Sequence, residues 1–139
     1  MCNLYSITTT NQAAIAALFR VVNRYVGNLA PMPGVFPDHP APVVRNSGGE
    51  REMNALGHAA AATSRWISGE WLSAENRCLI PANSFAEYAP EPNPETKKKD
   101  VVWFALSDDR PLFSFRGIWT TFNGDRGTKS RRAKEALAL

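Results

Sequence analysis

A proline-rich run in the first half of the chain limits how this sequence can build a β-sheet. Residues 31–42 contain a glycine and five prolines, namely Pro31, Pro33, Gly34, Pro37, Pro40 and Pro42. Proline has no N–H to donate to a strand ladder, so it is confined to sheet edges, strand starts and bulges. The run therefore predicts an extended loop that cannot pair as a central strand. Val43 and Val44 would form a short strand before a turn at residues 46–49.

Hydrophobic spacing predicts strands over most of the second half and helices near the two ends. A Thr-x-x-Gln capping box precedes apolar residues at helical spacing, and later segments alternate or are rich in β-formers. A turn at residues 107–111 would join the last two strands in a hairpin. Residues 66–72 predict a packed helical turn. The predicted strands are residues 2–8, 77–82, 84–88, 101–106 and 112–120, and the predicted helices are residues 11–25 and 131–139.

These elements favour an α+β fold, built around a partly closed, barrel-like antiparallel sheet with flanking helices. With 139 residues, we expect a single domain over residues 1–139. A net charge of +3 permits a polyanionic partner without requiring one. There is no signal-peptide pattern and no apolar stretch of about 18 residues, so we expect no membrane contact and a cytoplasmic location.

Cysteine at position 2, directly after Met1, is the most informative chemical feature. Removal of Met1 would place an α-amine and a thiol on one residue, with ordinary pKa values of roughly 8 and 8.5. Such an amine attacks an aldehyde to form an imine, and the thiol can then close a thiazolidine ring on the same carbon. The alternative is that Cys2 is a small hydrophobic residue at the start of a strand.

Three segments together resemble the SOS-response-associated peptidase family. They are MCNLYS at the N-terminus, RCLIPANSFAEY at residues 77–88, and the strand pair VVWFAL and LFSFRGIWT. The stretch PMPGVFPDHPAPVVR is also similar to the proline-rich loop of that family. The likeness covers roughly residues 1–52 and 71–129.

The resemblance implies a protein that processes abasic sites, and thus enzymatic activity on DNA damage. Such proteins remove their own Met1 and trap the ring-opened sugar of an abasic site in single-stranded DNA as a thiazolidine on the N-terminal cysteine. Position by position, Cys2 matches the nucleophile and Glu87 the acidic residue that would move protons. No metal, other cofactor or second copy is implied, so we expect a monomer whose partner is abasic single-stranded DNA.

Two further residues are candidates for DNA contact. Trp71 lies among polar neighbours and is the tryptophan best suited to stack on an unpaired base. Arg77 would contact a phosphate or, equally well, pair with an acid. Glu87 has its own alternative, a sheet-edge carboxylate paired with an arginine. A zinc site assembled from Cys2, Cys78, His39 and His58 lacks recognisable ligand spacing.

The chain departs from the family pattern in two places. The Asn-x-Arg segment expected before Arg77 has no match in NALGHAAAATSRWISGE, and the His-x-x-Met-Pro-like segment expected after residue 129 is missing. We therefore expect a domain that is incomplete at its C-terminus. Two other functions stay open, an inactive or weakly DNA-binding remnant of the family and an N-terminal-nucleophile cysteine amidase.

Overall fold

The computed structural model describes residues 4–8, 12–23, 30–36, 39–58, 69–121 and 136–138, and these are mostly strands. One helix, α1, spans Gln12–Phe19, and short 3₁₀ turns span Gly69–Leu72 and Ala74–Asn76. The strands are β1 (Leu4–Ile7), β2 (Val22–Asn23), β3 (Met32–Val35), β4 (Pro40–Ser47), β5 (Glu50–His58), β6 (Arg77–Ala82), β7 (Ser84–Pro92), β8 (Lys99–Phe104), β9 (Phe113–Thr120) and β10 (Ala136–Ala138). Within these ranges no helix is long and apolar enough to cross a bilayer.

The strands form two sheets. The smaller sheet has the order β3-β1-β7-β8, and the larger has the order β10-β9-β6-β4-β5-β2, with an additional parallel pairing of β10 to β5. The predicted α+β class with one partly closed, barrel-like sheet is therefore wrong, because the described chain is mostly β and its strands divide between two sheets. Sequence periodicity underestimated the number and length of the strands between residues 32 and 58. A tight turn there aligns two long strands although the first of them contains prolines.

That turn is Gly48-Gly49, which joins β4 to β5. Both glycines have positive φ, +59° and +83°, as a two-residue type I′ hairpin requires. The hairpin pairs β4 with β5 from Ser47–Glu50 back to Pro40–Gly57. The predicted turn is confirmed at Gly48-Gly49, whereas residues 46 and 47 belong to β4, which is much longer than expected.

Pro40 and Pro42 lie within β4, so the expectation of a loop through residue 42 is wrong. The strand pairs with β5 along its whole length, but its ladder with β6 is confined to Val44 and Arg45. Alternate residues of a strand direct their backbone groups to the same side. The two prolines thus share one side of β4, over a stretch where β6 forms no ladder with it.

The predicted hairpin of the last two long strands is also wrong. β8 pairs with β7 in the smaller sheet, whereas β9 pairs with β6 in the larger one. The turn between them closes with a bond from the Arg110 N–H to the Ser107 carbonyl, and the chain then crosses between the sheets. The first helix ends at Phe19 because Arg20 takes a positive φ of 50°, and Ala136–Ala138 is a strand where a C-terminal helix was expected.

The core lies between the two sheets and is rich in aromatic contacts. Tyr5 of β1 is fully buried and meets the ring of Phe115 on β9 edge-on at 6.3 Å. Phe85 of β7 meets the same ring at 5.5 Å. Ile15 of the helix joins the core, so that both sheets and the helix share one apolar cluster. Offset and edge-on aromatic pairs add about 0.5–1.5 kcal/mol each beyond area burial.

Candidate functional site

Strand β1 runs beside Glu87. In the antiparallel pairing of β1 with β7, Leu4 lies opposite Ala86, and Tyr5 lies opposite Phe85. The hydroxyl oxygens of Ser6 and Ser84 are 2.7 Å apart in a buried hydrogen bond that holds this register. Glu87 follows Ala86, so the N-terminal end of β1 lies at the Glu87 end of the pairing. The predicted nucleophile, Cys2, is outside the described residues.

Glu87 is half-buried at the margin of the space between the sheets. It lies opposite Val102 of β8 and, two residues after Phe85, shares the face of that ring. Phe85 stacks on Phe104 at 5.3 Å. The described β1–β7 pairing ends at Ala86, one residue before Glu87. A carboxylate that is only partly buried can take up a proton and return it to a bound substrate.

Asn83, at the corner between β6 and β7, is a positioning residue that the sequence did not reveal. Its side-chain oxygen accepts a bond from the Thr8 N–H at 2.9 Å, and its side-chain nitrogen donates to the Arg110 carbonyl at 2.9 Å. Its own N–H donates to the Ser6 carbonyl at 2.8 Å. One buried side chain thus fixes the end of β1, the β6–β7 corner and the turn after β8.

Trp71 and Arg77 lie together on the segment that leads into β6. Trp71 is half-buried in the first 3₁₀ turn, and Arg77 is exposed at the start of β6. The Arg77 guanidinium donates to the Leu72 carbonyl at 3.4 Å, which ties it to the turn that carries Trp71. The pKa of Glu75 is lowered mainly by its own backbone N–H and by the Ser73 hydroxyl, with a smaller contribution from the Arg77 charge.

The predicted site residues therefore form two groups. Glu87 belongs to the smaller sheet, beside the N-terminal strand, whereas Trp71 and Arg77 belong to the approach to the larger sheet. The segment RCLIPANSFAEY connects them, running from Arg77 through the Asn83 corner to Glu87.

A buried polar row in the larger sheet is the main feature that the sequence analysis missed. The Arg45 Nε donates to a Glu52 carboxylate oxygen at 2.9 Å, and both side chains are only 9% exposed. The guanidinium lies 4.0 Å from the centre of the Trp119 ring, a cation–π contact. Cys78 lies on the other side of Arg45, on β6. Counting outward from Gly48-Gly49 pairs residue 45 with residue 52, so the sequence did hold a signal for this ion pair.

Trp119 is held in place by the second 3₁₀ turn. Its indole N–H donates to the Glu75 carbonyl at 2.9 Å, and the Asn76 side chain donates to the Trp119 carbonyl at 2.9 Å. The ring that covers Arg45 is therefore anchored at two points. This arrangement keeps water from the ion pair and is typical of a structural cluster rather than of a reactive site.

The buried Cys78 thiol is expected to be unreactive. Burial raises its pKa to about 12, and the nearby Arg45 charge opposes this only in part. Because the thiolate is the nucleophile and metal ligand, Cys78 is unsuited to either role at neutral pH. Among the residues that the structure describes, no group of three or more His, Cys, Asp or Glu side chains is placed to hold a metal ion.

We expect Cys78 to resist alkylation in the folded protein. Iodoacetamide at pH 8 should leave it unmodified in buffer and modify it completely in denaturant, as peptide mass spectrometry would show. A raised folded-state pKa stabilises the protein below the unfolded value of about 9, and this stabilisation is lost as the pH rises toward about 12. Rapid native alkylation of Cys78 would contradict its burial.

Comparison with known proteins shows the fold and nothing finer. No family model matches this sequence, and no curated protein matches it. Two crystal structures from Bordetella bronchiseptica are similar in fold. One, described only as a protein, has a TM-score of 0.63 and 15% sequence identity. The match covers 99% of this chain and 71% of that protein's chain. The other, described as a phage-related protein, has a TM-score of 0.65 and 15% sequence identity. The match covers 99% of this chain and 67% of that protein's chain.

Proposed function

We propose that this protein forms a covalent link to abasic sites in single-stranded DNA through Cys2, after removing Met1. The sequence resemblance supplies the reaction class. The observation that carries the proposal is the β1–β7 register, with Leu4 opposite Ala86 and Glu87 next along the strand. One residue separates Cys2 from Leu4, and two residues of extended chain span at most about 7 Å. The nucleophile is thus tethered within reach of the Glu87 end of β7.

The proposed chemistry needs an amine, a thiol and an aldehyde. The Cys2 α-amine adds to the aldehyde carbon of the ring-opened sugar and gives a carbinolamine, which loses water to form an imine. The Cys2 thiol then adds to the imine carbon and transfers its proton to the nitrogen, closing the thiazolidine. Overall, aldehyde and aminothiol give thiazolidine and one water, with no oxidant or reductant.

In this series of reaction steps we assign Glu87 the role of general base and then general acid. As a carboxylate it accepts the proton that the α-ammonium must lose before attack, and as a carboxylic acid it protonates the departing hydroxyl of the carbinolamine. The half-buried position of Glu87 on β7, one residue beyond the β1 pairing, supports this role. Release of Met1 would use the same group to position and activate a water molecule.

Trp71 and Arg77 would guide the strand toward this reaction. The exposed Arg77 would contact a phosphate, and Trp71, in the 3₁₀ turn to which Arg77 is bonded, would stack on an unpaired base. Phosphate contacts would make binding weaken with added salt. No described element is a long helix suited to the major groove, which favours single strands over duplex.

The decisive measurement is the rate of adduct formation in a Glu87→Gln variant. We expect the rate to fall by at least roughly 10²-fold relative to the unchanged protein, because general acid–base groups typically accelerate a reaction 10²–10⁴-fold. Glu91→Gln, an exposed carboxylate further along the same strand, is the matched control and should react at the normal rate. Intact mass after incubation with abasic and undamaged oligonucleotides would follow the adduct and show whether Met1 is absent.

Three results would count against the proposal. Retention of Met1 in most molecules would remove the required amine. Equal rates for the two glutamate variants would remove Glu87 from the mechanism. An absence of adduct with the unchanged protein would favour the remnant of the family.

A further inference from the structure

Strand β8 presents an apolar edge to solvent. It ends the smaller sheet, and within the described part of the chain it pairs only with β7. Every residue of β8 is exposed, including Val101 at 51%, Trp103 at 39% and Phe104 at 46%. Leu106, just beyond the strand, is 69% exposed. A long, hydrophobic, unprotected edge is a template for pairing with another strand.

The opposite edge of the same sheet is protected. Strand β3 is only four residues long and contains Pro33 and Gly34, both of which discourage strand addition. In β8, by contrast, the sequence VVWF consists entirely of residues with high β-propensity. The sheet therefore has one closed edge and one edge able to accept a partner.

We propose that β8 pairs with β8 of a second copy of this chain, in antiparallel register across a two-fold axis that passes beside Trp103. In this register Trp103 lies opposite the partner copy's Trp103, and Val102 lies opposite the partner copy's Phe104. The two smaller sheets would join into one continuous sheet. The pairing is isologous, as in most symmetric dimers, and independent of the proposed DNA chemistry.

The charges at the two ends of β8 are complementary in this register. Lys98 and Lys99 lie at the beginning of the strand, and Asp108 and Asp109 lie in the turn after its end. Antiparallel pairing centred on Trp103 brings the lysine end of one copy near the aspartate turn of the other, at both ends of the interface. Parallel pairing would bring lysines to lysines and aspartates to aspartates, which electrostatics opposes. Charge therefore favours the antiparallel direction.

A charge-exchange experiment tests the proposal. Analytical ultracentrifugation should show a dimer of the unchanged protein that dissociates on dilution and weakens with added salt. The variants K98D/K99D and D108K/D109K should each self-associate at least about tenfold more weakly, because like charges would then face each other. An equimolar mixture of the two variants should regain the dimer, since each supplies the charges that the other lacks.

The control is E91K/E95K, which makes the same change in charge as D108K/D109K on the β7–β8 hairpin but outside the proposed pairing. It should dimerise as the unchanged protein does. A monomeric unchanged protein at every concentration would overturn the proposal, as would a mixture of variants that stays monomeric or a control that weakens as much as D108K/D109K.

Discussion

Glu52→Ala is expected to lower the free energy of unfolding by about 3–5 kcal/mol, because it would remove the carboxylate that pairs with the buried Arg45 guanidinium. The 2.9 Å bond between the two side chains would be lost, while Trp119 would still keep water away from the arginine. Urea denaturation followed by tryptophan fluorescence would measure the change.

Two further variants separate this effect from general damage to β5. Glu50→Ala, at an exposed position of the same strand, should change the free energy of unfolding by no more than about 0.5 kcal/mol. The double variant Arg45→Met with Glu52→Leu should recover most of the loss, because well-packed apolar residues often replace a buried ion pair without cost. A Glu52→Ala variant as stable as Glu50→Ala would show that the ion pair is already solvated.

Cys2→Ala is expected to abolish the covalent adduct with abasic single-stranded DNA. Without the thiol, an imine formed by the α-amine reverses by hydrolysis, so no band should survive a denaturing gel. Cys78→Ala is the matched control and should keep the adduct, because the buried Cys78 thiol takes no part in the chemistry. A stable adduct in Cys2→Ala, or its loss in Cys78→Ala alone, would contradict the assignment of the nucleophile.

The local pattern of the strands was predictable, whereas their partners were not. RCLIPA and SFAEY are strands as expected, because alternation and β-branched content are local signals. The separation of β8 from β9 depends on distant groups, including the Asn83 side chain that holds the Arg110 carbonyl. No spacing rule within residues 101–120 carries that information.

The site was predictable to a similar degree. The aromatic strand drew attention to Glu87, and its position beside β1 is a tertiary fact that the sequence could not supply. Asn83 gave no signal, because an asparagine between two strands is read as an ordinary turn residue. The pairing of Arg45 with Glu52 could have been predicted by counting outward from the Gly48-Gly49 turn. It was not predicted because the prolines at 40 and 42 disfavour a long strand there.

The β4–β5 hairpin also bears on the order of folding events. Its two-residue turn makes every contact between β4 and β5 local, and isolated hairpins form within about 1–10 μs but are marginally stable alone. The Trp119 cover comes from β9, far along the chain, and depends on the 3₁₀ turn that precedes β6. We therefore expect Arg45 and Glu52 to meet early, in water, and to lose their hydration only when β9 docks. The cost of dehydrating the ion pair falls late in folding, after the hairpin has already fixed its geometry.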